Sequence, residues 1–173
     1  MRVRLWEERG QASVAGIMAT LILILITAGL VDLYRLQDVR SWAYQAASDA
    51  ALAGAGSGRD YGRFMATGVI SLDEEAAIEA ARERIEEEMA RRGIVEYVVE
   101  IGVLPDPEGG IVPGYPPVPR ASQWNVSSWS ERQPSVGVFL VVPVETYLFG
   151  LINGNRPIEV HVFAAAGVAT ASL

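Results

Sequence analysis

From Ala12 to Val31 the chain reads ASVAGIMATLILILITAGLV, a run with no charged residue. At 1.5 Å of rise per residue such a helix is about 30 Å long, the thickness of a bilayer's hydrocarbon core. The other long segments are too polar or too short to span, so the sequence predicts one transmembrane helix over residues 12–31 carrying a domain that lives in water. A cleaved signal peptide is the competing reading. It has a basic start, an apolar core of 7 to 15 residues and a small-residue cleavage site. Arg2, Arg4 and Arg9 supply the basic start, but Glu7 and Glu8 dilute it, and the apolar core is longer than a signal peptide needs. With Met1 still in place, the run is expected to be retained as an anchor.

Three arginines precede the run, and Arg35 and Arg40 follow it, a slight positive-inside bias. Residues 1–11 are expected in the cytoplasm and the acidic remainder outside it, with the anchor in the cytoplasmic membrane. The net charge of −7 and the lack of any lysine argue against nucleic acid as a partner. The lack of cysteine excludes disulfides, thiolate metal sites and cysteine nucleophiles.

The helix is expected to continue beyond the run as an extension over residues 32–53, since neither proline nor glycine interrupts between Val31 and Gly54. Leu36, Val39, Ala43, Ala46, Ala50 and Ala53 recur every three or four residues and form one helical face. The alanines make it smooth enough for close approach of another helix or sheet. Within the run, Gly16 with Ala19 and Thr20, and separately Gly29, are small-residue patches suited to seating a second transmembrane helix. Asp32 is expected to pair with Arg35, or with Arg40 of a neighbouring chain. GAGSGRDYG (Gly54 to Gly62) is expected to end the helix in a flexible turn. No lysine follows it and no strand precedes it, so it is not a phosphate loop.

A further helix starts at Ser71-Leu-Asp-Glu74, read as a capping box with Ser71 as the cap. Arg91 and Arg92 suit its C-terminal end and Gly93 its left-handed terminus. Ile78, Ala81, Ile85 and Met89 are its expected buried stripe. Residues 94–103 alternate as a half-buried strand, with Val95, Tyr97, Val99, Ile101 and Val103 on one face. Residues 104–134 form a long Pro/Gly-rich loop. It lies over the surface pinned by Tyr115, Trp124 and Trp129, is mobile, or is ordered by a partner that those three side chains contact. Ser135 to Val142 reads as a packed strand ended by Pro143. Thr146 to Ile152 reads as one turn of helix or an interfacial loop bearing Tyr147, Leu148 and Phe149. Asn153-Gly154-Asn155 is a turn, and Pro157 to Ala171 a final strand. The expectation is an α+β fold: a long N-terminal helix, one further helix and an antiparallel sheet of three to four strands, with residues 54–173 as the domain.

No catalytic constellation emerges. His161 is the only histidine and lies in a strand pattern, which excludes a multi-histidine metal site. Glu75, Glu79, Glu83 and Glu87 share a helix face, read first as a solvated surface and otherwise as a docking face for a basic partner or divalent ions. They lack the fixed oxygen spacing of a calcium loop. No catalytic residue, cofactor, metal site or small-molecule substrate is expected. Asn125-Val-Ser127 matches a glycosylation acceptor, which would mean exposure.

Three segments carry a resemblance: Arg9-Gly-Gln-Ala-Ser-Val-Ala15 before the run, Val31-Asp-Leu-Tyr-Arg35 after it, and Ala46-Ala-Ser-Asp-Ala-Ala-Leu-Ala-Gly54 further on. Together they resemble the TadE/TadG-like family of the tight-adherence pilus machinery, and Pro143-Val-Glu-Thr146 and Phe149-Gly150-Leu151 resemble its C-terminal part. The resemblance implies a bacterial, pseudopilin-like or envelope-anchored single-span protein that assists pilus assembly or export. It also implies a prepilin peptidase cut between Gly10 and Gln11, but the fifth residue past that cut is Ala15 where the pattern has glutamate. The chain therefore resembles the unprocessed, anchored branch. The expected function is a non-enzymatic, membrane-anchored component that acts through contacts with lipid and with other membrane or pilus-assembly proteins. The alternative is an accessory scaffolding subunit of another membrane complex, such as a bioenergetic one.

Overall fold

The computed structural model describes residues 4–117 and 128–168. Its elements follow the order α1 (Arg4–Ser57), α2 (Tyr61–Thr67), α3 (Glu74–Arg92), β1 (Val98–Leu104), β2 (Gly110–Pro113), β3 (Ser128–Glu131), β4 (Ser135–Val144), α4 (Leu148–Ile152) and β5 (Ile158–Gly167). The class is α+β, with a three-stranded antiparallel sheet in the order β1-β4-β5 and a separate two-stranded sheet of β2 and β3.

The chain divides into two compact units. One combines the chain up to Asp38 with Val144–Ile158, and the other combines Val39–Pro143 with the chain from Glu159 on. The first unit thus joins the start of α1 to the α4 segment, and the second contains the remainder of α1. Among the described residues α1 is the one helix long and apolar enough to cross a membrane, and none of its apolar window is buried within the protein.

α1 does not stop at residue 53. It continues through Gly54, Ala55 and Gly56 to Ser57. Glycine disfavours a helix by about 1 kcal/mol relative to alanine, but here it permits close packing. A methyl on Gly54 would lie 2.8 Å from the Ala77 carbonyl oxygen and 3.1 Å from both Ala81 Cβ and Val136 Cγ1. The chain then turns at Gly58 and starts α2, with Asp60 capping it by accepting the Arg63 N–H at 2.8 Å.

The cap of α3 is Asp73, not Ser71. The Asp73 carboxylate accepts the Ala76 N–H at 3.1 Å, while the Ser71 hydroxyl is buried without a partner. Ser71 instead lies in a backbone pairing in which its carbonyl accepts the Asp60 N–H at 3.0 Å, beside the Arg59–Leu72 bridge. That pairing places Ser71 before the helix and leaves Asp73 at its mouth. The buried stripe of α3 is Ala77, Ala81, Ile85 and Met89, with Ile78 only half-buried, and Gly93 ends the helix at φ +67°.

β4 is the central strand and is buried along almost its whole length. Val136 faces the helices, and Gly137 faces an aromatic cluster on the opposite side of the sheet. This two-sided burial explains the unbroken apolar run. Pro143 lies inside β4 rather than ending it. The β1 ladder stops at Val98–Val141, so a residue without an N–H is tolerated beyond it. β1 itself starts at Val98, four residues later than the alternation suggests, and Val95 is exposed.

The segment expected to be one long loop contains a hairpin-like pair, with β2 antiparallel to β3 from Gly110–Glu131 to Pro113–Ser128. Trp124 and the Asn125–Ser127 acceptor pattern lie outside the described residues.

Candidate functional site

Asp32 is the first residue after the uncharged run, and its carboxylate is fully buried at 0% exposure. Within the chain its oxygens meet backbone N–H groups rather than the Arg35 guanidinium. Oδ1 accepts the Tyr147 N–H at 2.8 Å, and Oδ2 accepts those of Leu148 at 2.7 Å and Phe149 at 3.0 Å. These are the N–H groups that a helix start leaves without intrahelical partners. Tyr147 precedes α4 and makes no side-chain cap of its own, so a carboxylate more than a hundred residues away performs the capping. A charged acceptor makes these bonds stronger than neutral ones, and an anion suits the helix start.

Two further residues of α1 complete the clasp. Gly29 lies one turn before Asp32, and a methyl there would be 3.3 Å from Leu148 Cδ2. Arg35 lies one turn after, with its guanidinium 5.9 Å from the centre of the Tyr147 ring. Residues 29, 32 and 35 are spaced by three and so share one face of the helix. Gly29 therefore receives Leu148 of its own chain, where the sequence suggested a second transmembrane helix. Gly16 and Ala19 are exposed, and nothing lies within 4 Å of a methyl placed on Gly16. Gly10 and Gln11 lie within the helical backbone of α1.

The alanine face of the extension is buried. Ala43, Ala46, Ala47, Ala50, Ala51 and Ala55 form it, and Leu36 and Val39 are half-buried. Larger side chains lie at its margins. Arg92 stands 4.5 Å from the centre of the Trp42 ring, and Arg84 reaches Asp49 at 3.9 Å. On the acidic face of α3, Glu87 pairs with Arg84, and beside that face Glu88 pairs with Arg91 and Arg92.

Tyr115 and Trp129 point inward, each 6% exposed. They pin their own loop against the sheet instead of offering a free surface. With Phe163 they form a trio whose ring centres are 5.6 to 6.0 Å apart at steep angles, the edge-to-face geometry that aromatic quadrupoles prefer. Beneath the trio, Gly102 and Gly137 face each other in the β1–β4 register. A methyl on Gly102 would be 3.1 Å from the Tyr115 ring, and one on Gly137 3.0 Å from Phe163. The missing side chains are the slot into which the rings fit. The Tyr115 hydroxyl lies 2.9 Å from the Glu100 carbonyl and 2.8 Å from that of Gly137. Burial pushes this hydroxyl well above the ordinary tyrosine value, so it stays protonated as a donor.

His161 stacks on Phe139 with ring centres 5.9 Å apart, and its Nε2 lies 3.4 Å from Glu159. Its Nδ1 is buried without a partner. No nucleophile accompanies it in these contacts, and among the described residues no group of three His, Asp or Glu side chains is placed to hold a metal ion. The arrangement suits mechanical fixation: one clasp on the apolar helix and one aromatic lock against the sheet. Compared with known proteins, the chain matches no family model, no curated protein and no solved structure.

Proposed function

We propose that this chain is a non-enzymatic component of a bacterial envelope assembly of the tight-adherence pilus or export type. Residues 12–31 anchor it in the cytoplasmic membrane, with the N-terminus inside and the domain outside. Its work is positioning through protein–protein contacts, not bond chemistry. The observation that carries this reading is α1 itself, a single helix that is bare along its apolar window and then contributes a buried alanine face to a folded domain. A bare apolar surface of that length needs lipid or protein around it.

The burial of Ala43, Ala46 and Ala50 within the domain favours an anchored component over a filament subunit, because that face is already occupied. Gly16 and Ala19 remain open for a neighbouring transmembrane helix. The test is to isolate the native protein from membranes in mild detergent and identify what accompanies it by mass spectrometry. Stoichiometric pilus ATPase, platform or pilin proteins support the pilus reading. A stable complex of unrelated membrane subunits replaces it with an accessory scaffold.

A further inference from the structure

α4 is a five-residue helix, and one turn is too short to persist alone in water. With the residue before it, it nevertheless presents three large apolar side chains outward: Tyr147 is 65% exposed, Leu151 75% and Ile152 76%. Tyr147 and Leu151 are four residues apart and share one face, and Ile152 is exposed at the end of the same short segment.

The clasp sets the depth of that patch. Leu148 packs at the position of Gly29, which lies inside the uncharged run, and the backbone of 147–149 is held by Asp32, the first residue past it. α4 therefore lies alongside the last turn of the run and the first turn beyond it. On α1 at that level Leu30 and Leu33 are also exposed. Arg35 stands over Tyr147. Tyrosine is enriched at the headgroup level, and arginine extends its charge toward water from there.

We propose that α4 is a membrane-seated foot. Tyr147, Leu151 and Ile152 enter the headgroup–acyl boundary beside the outer end of the anchor, so the partner of this patch is the lipid surface. Continuity selects lipid: the patch adjoins the end of a helix surface that itself needs lipid around it. A second point of contact fixes the rotation and tilt of the anchor, which a lone helix leaves free. The inference rests on the membrane-anchored reading above.

The native chain has no cysteine, so single-cysteine variants report one position at a time. Leu151→Cys, Ile152→Cys, Leu23→Cys and Met65→Cys, all at exposed positions, are spin-labelled in the full-length protein. Each is reconstituted into phosphatidylcholine–phosphatidylglycerol liposomes, and collisions with oxygen and with a water-soluble nickel chelate are measured. The expected result is that labels at 151 and 152 lose nickel access relative to 65 and gain oxygen access toward that at 23. Labels at 151 and 152 as open to nickel as at 65, with 23 still lipid-like, overturn the foot and leave the anchor standing. That is the pattern for a patch that stands in water when no protein partner is present. Nickel access at 23 as well overturns both.

Discussion

The Asp32 carboxylate accepts the Leu148 N–H at 2.7 Å across 116 residues of sequence. It ties the end of an apolar helix to the connection between two strands, and with Gly29 and Arg35 it forms a three-residue clasp on one helix face.

Replacing Asp32 by Ala leaves three N–H groups at a part-buried helix start without their acceptor. Amide exchange at residues 147–149 is expected to accelerate by about tenfold or more, because hydrogen bonds to a charged acceptor are the stronger ones. Amides of the β1–β4 ladder are expected to keep their protection. Hydrogen exchange by mass spectrometry on the full chain in detergent checks this, and Asp32→Asn is expected to fall between the wild type and Asp32→Ala.

The glycines near the end of α1 separate packing from propensity. Gly56→Ala meets no atom within 4 Å and is expected to stabilise the fold by roughly 0.5–1 kcal/mol. Gly54→Ala drives a methyl to 2.8 Å from the Ala77 carbonyl and is expected to destabilise it by about 1–3 kcal/mol. Chemical denaturation of the two variants side by side shows whether their effects have opposite signs.

The cap of α3 can be assigned by mutation. Asp73→Ala removes the acceptor of the Ala76 N–H and is expected to cost about 0.5–2 kcal/mol. Ser71→Ala removes a buried hydroxyl that has no partner, and it is expected to be neutral or mildly stabilising. The same denaturation measurement reads both, and a larger loss at Ser71 than at Asp73 would restore the capping box.

The aromatic lock has a volume component and a polar one. Trp129→Ala empties the space over Gly137 and is expected to cost about 3–5 kcal/mol. Tyr115→Phe keeps the ring and loses only the bond shared between the Glu100 and Gly137 carbonyls, for about 1 kcal/mol. Near-ultraviolet circular dichroism follows the cluster directly, with a large loss for the first variant and a small one for the second.

Much of this architecture is visible in local pattern. The uncharged run, the alanine stripe through Ala43, Ala46 and Ala50, the strand at 135–142 and the left-handed Gly93 follow from periodicity and end signals that act over a few residues. What is missed depends on distant neighbours. Nothing near Asp32 announces that its acceptors face the backbone of 147–149. Gly54 looks like a helix end until Ala77 and Ala81 are packed against it. Ser71 and Asp73 both suit a cap, and the pairing of Ser71 with Asp60 decides between them. The β2–β3 pair is short and proline-flanked, and it is held by rings seated over Gly102 and Gly137, a slot that exists only once β1 and β4 are in register.

The most direct test of the account is topology. Single cysteines at Glu7 and Glu83 in the full-length protein are exposed to a membrane-impermeant maleimide in intact spheroplasts. Labelling at 83 before lysis, and at 7 only after it, is the result expected of an anchor over residues 12–31 with the domain outside. Equal labelling of both positions in intact cells, or recovery of the protein in the soluble fraction, would contradict it.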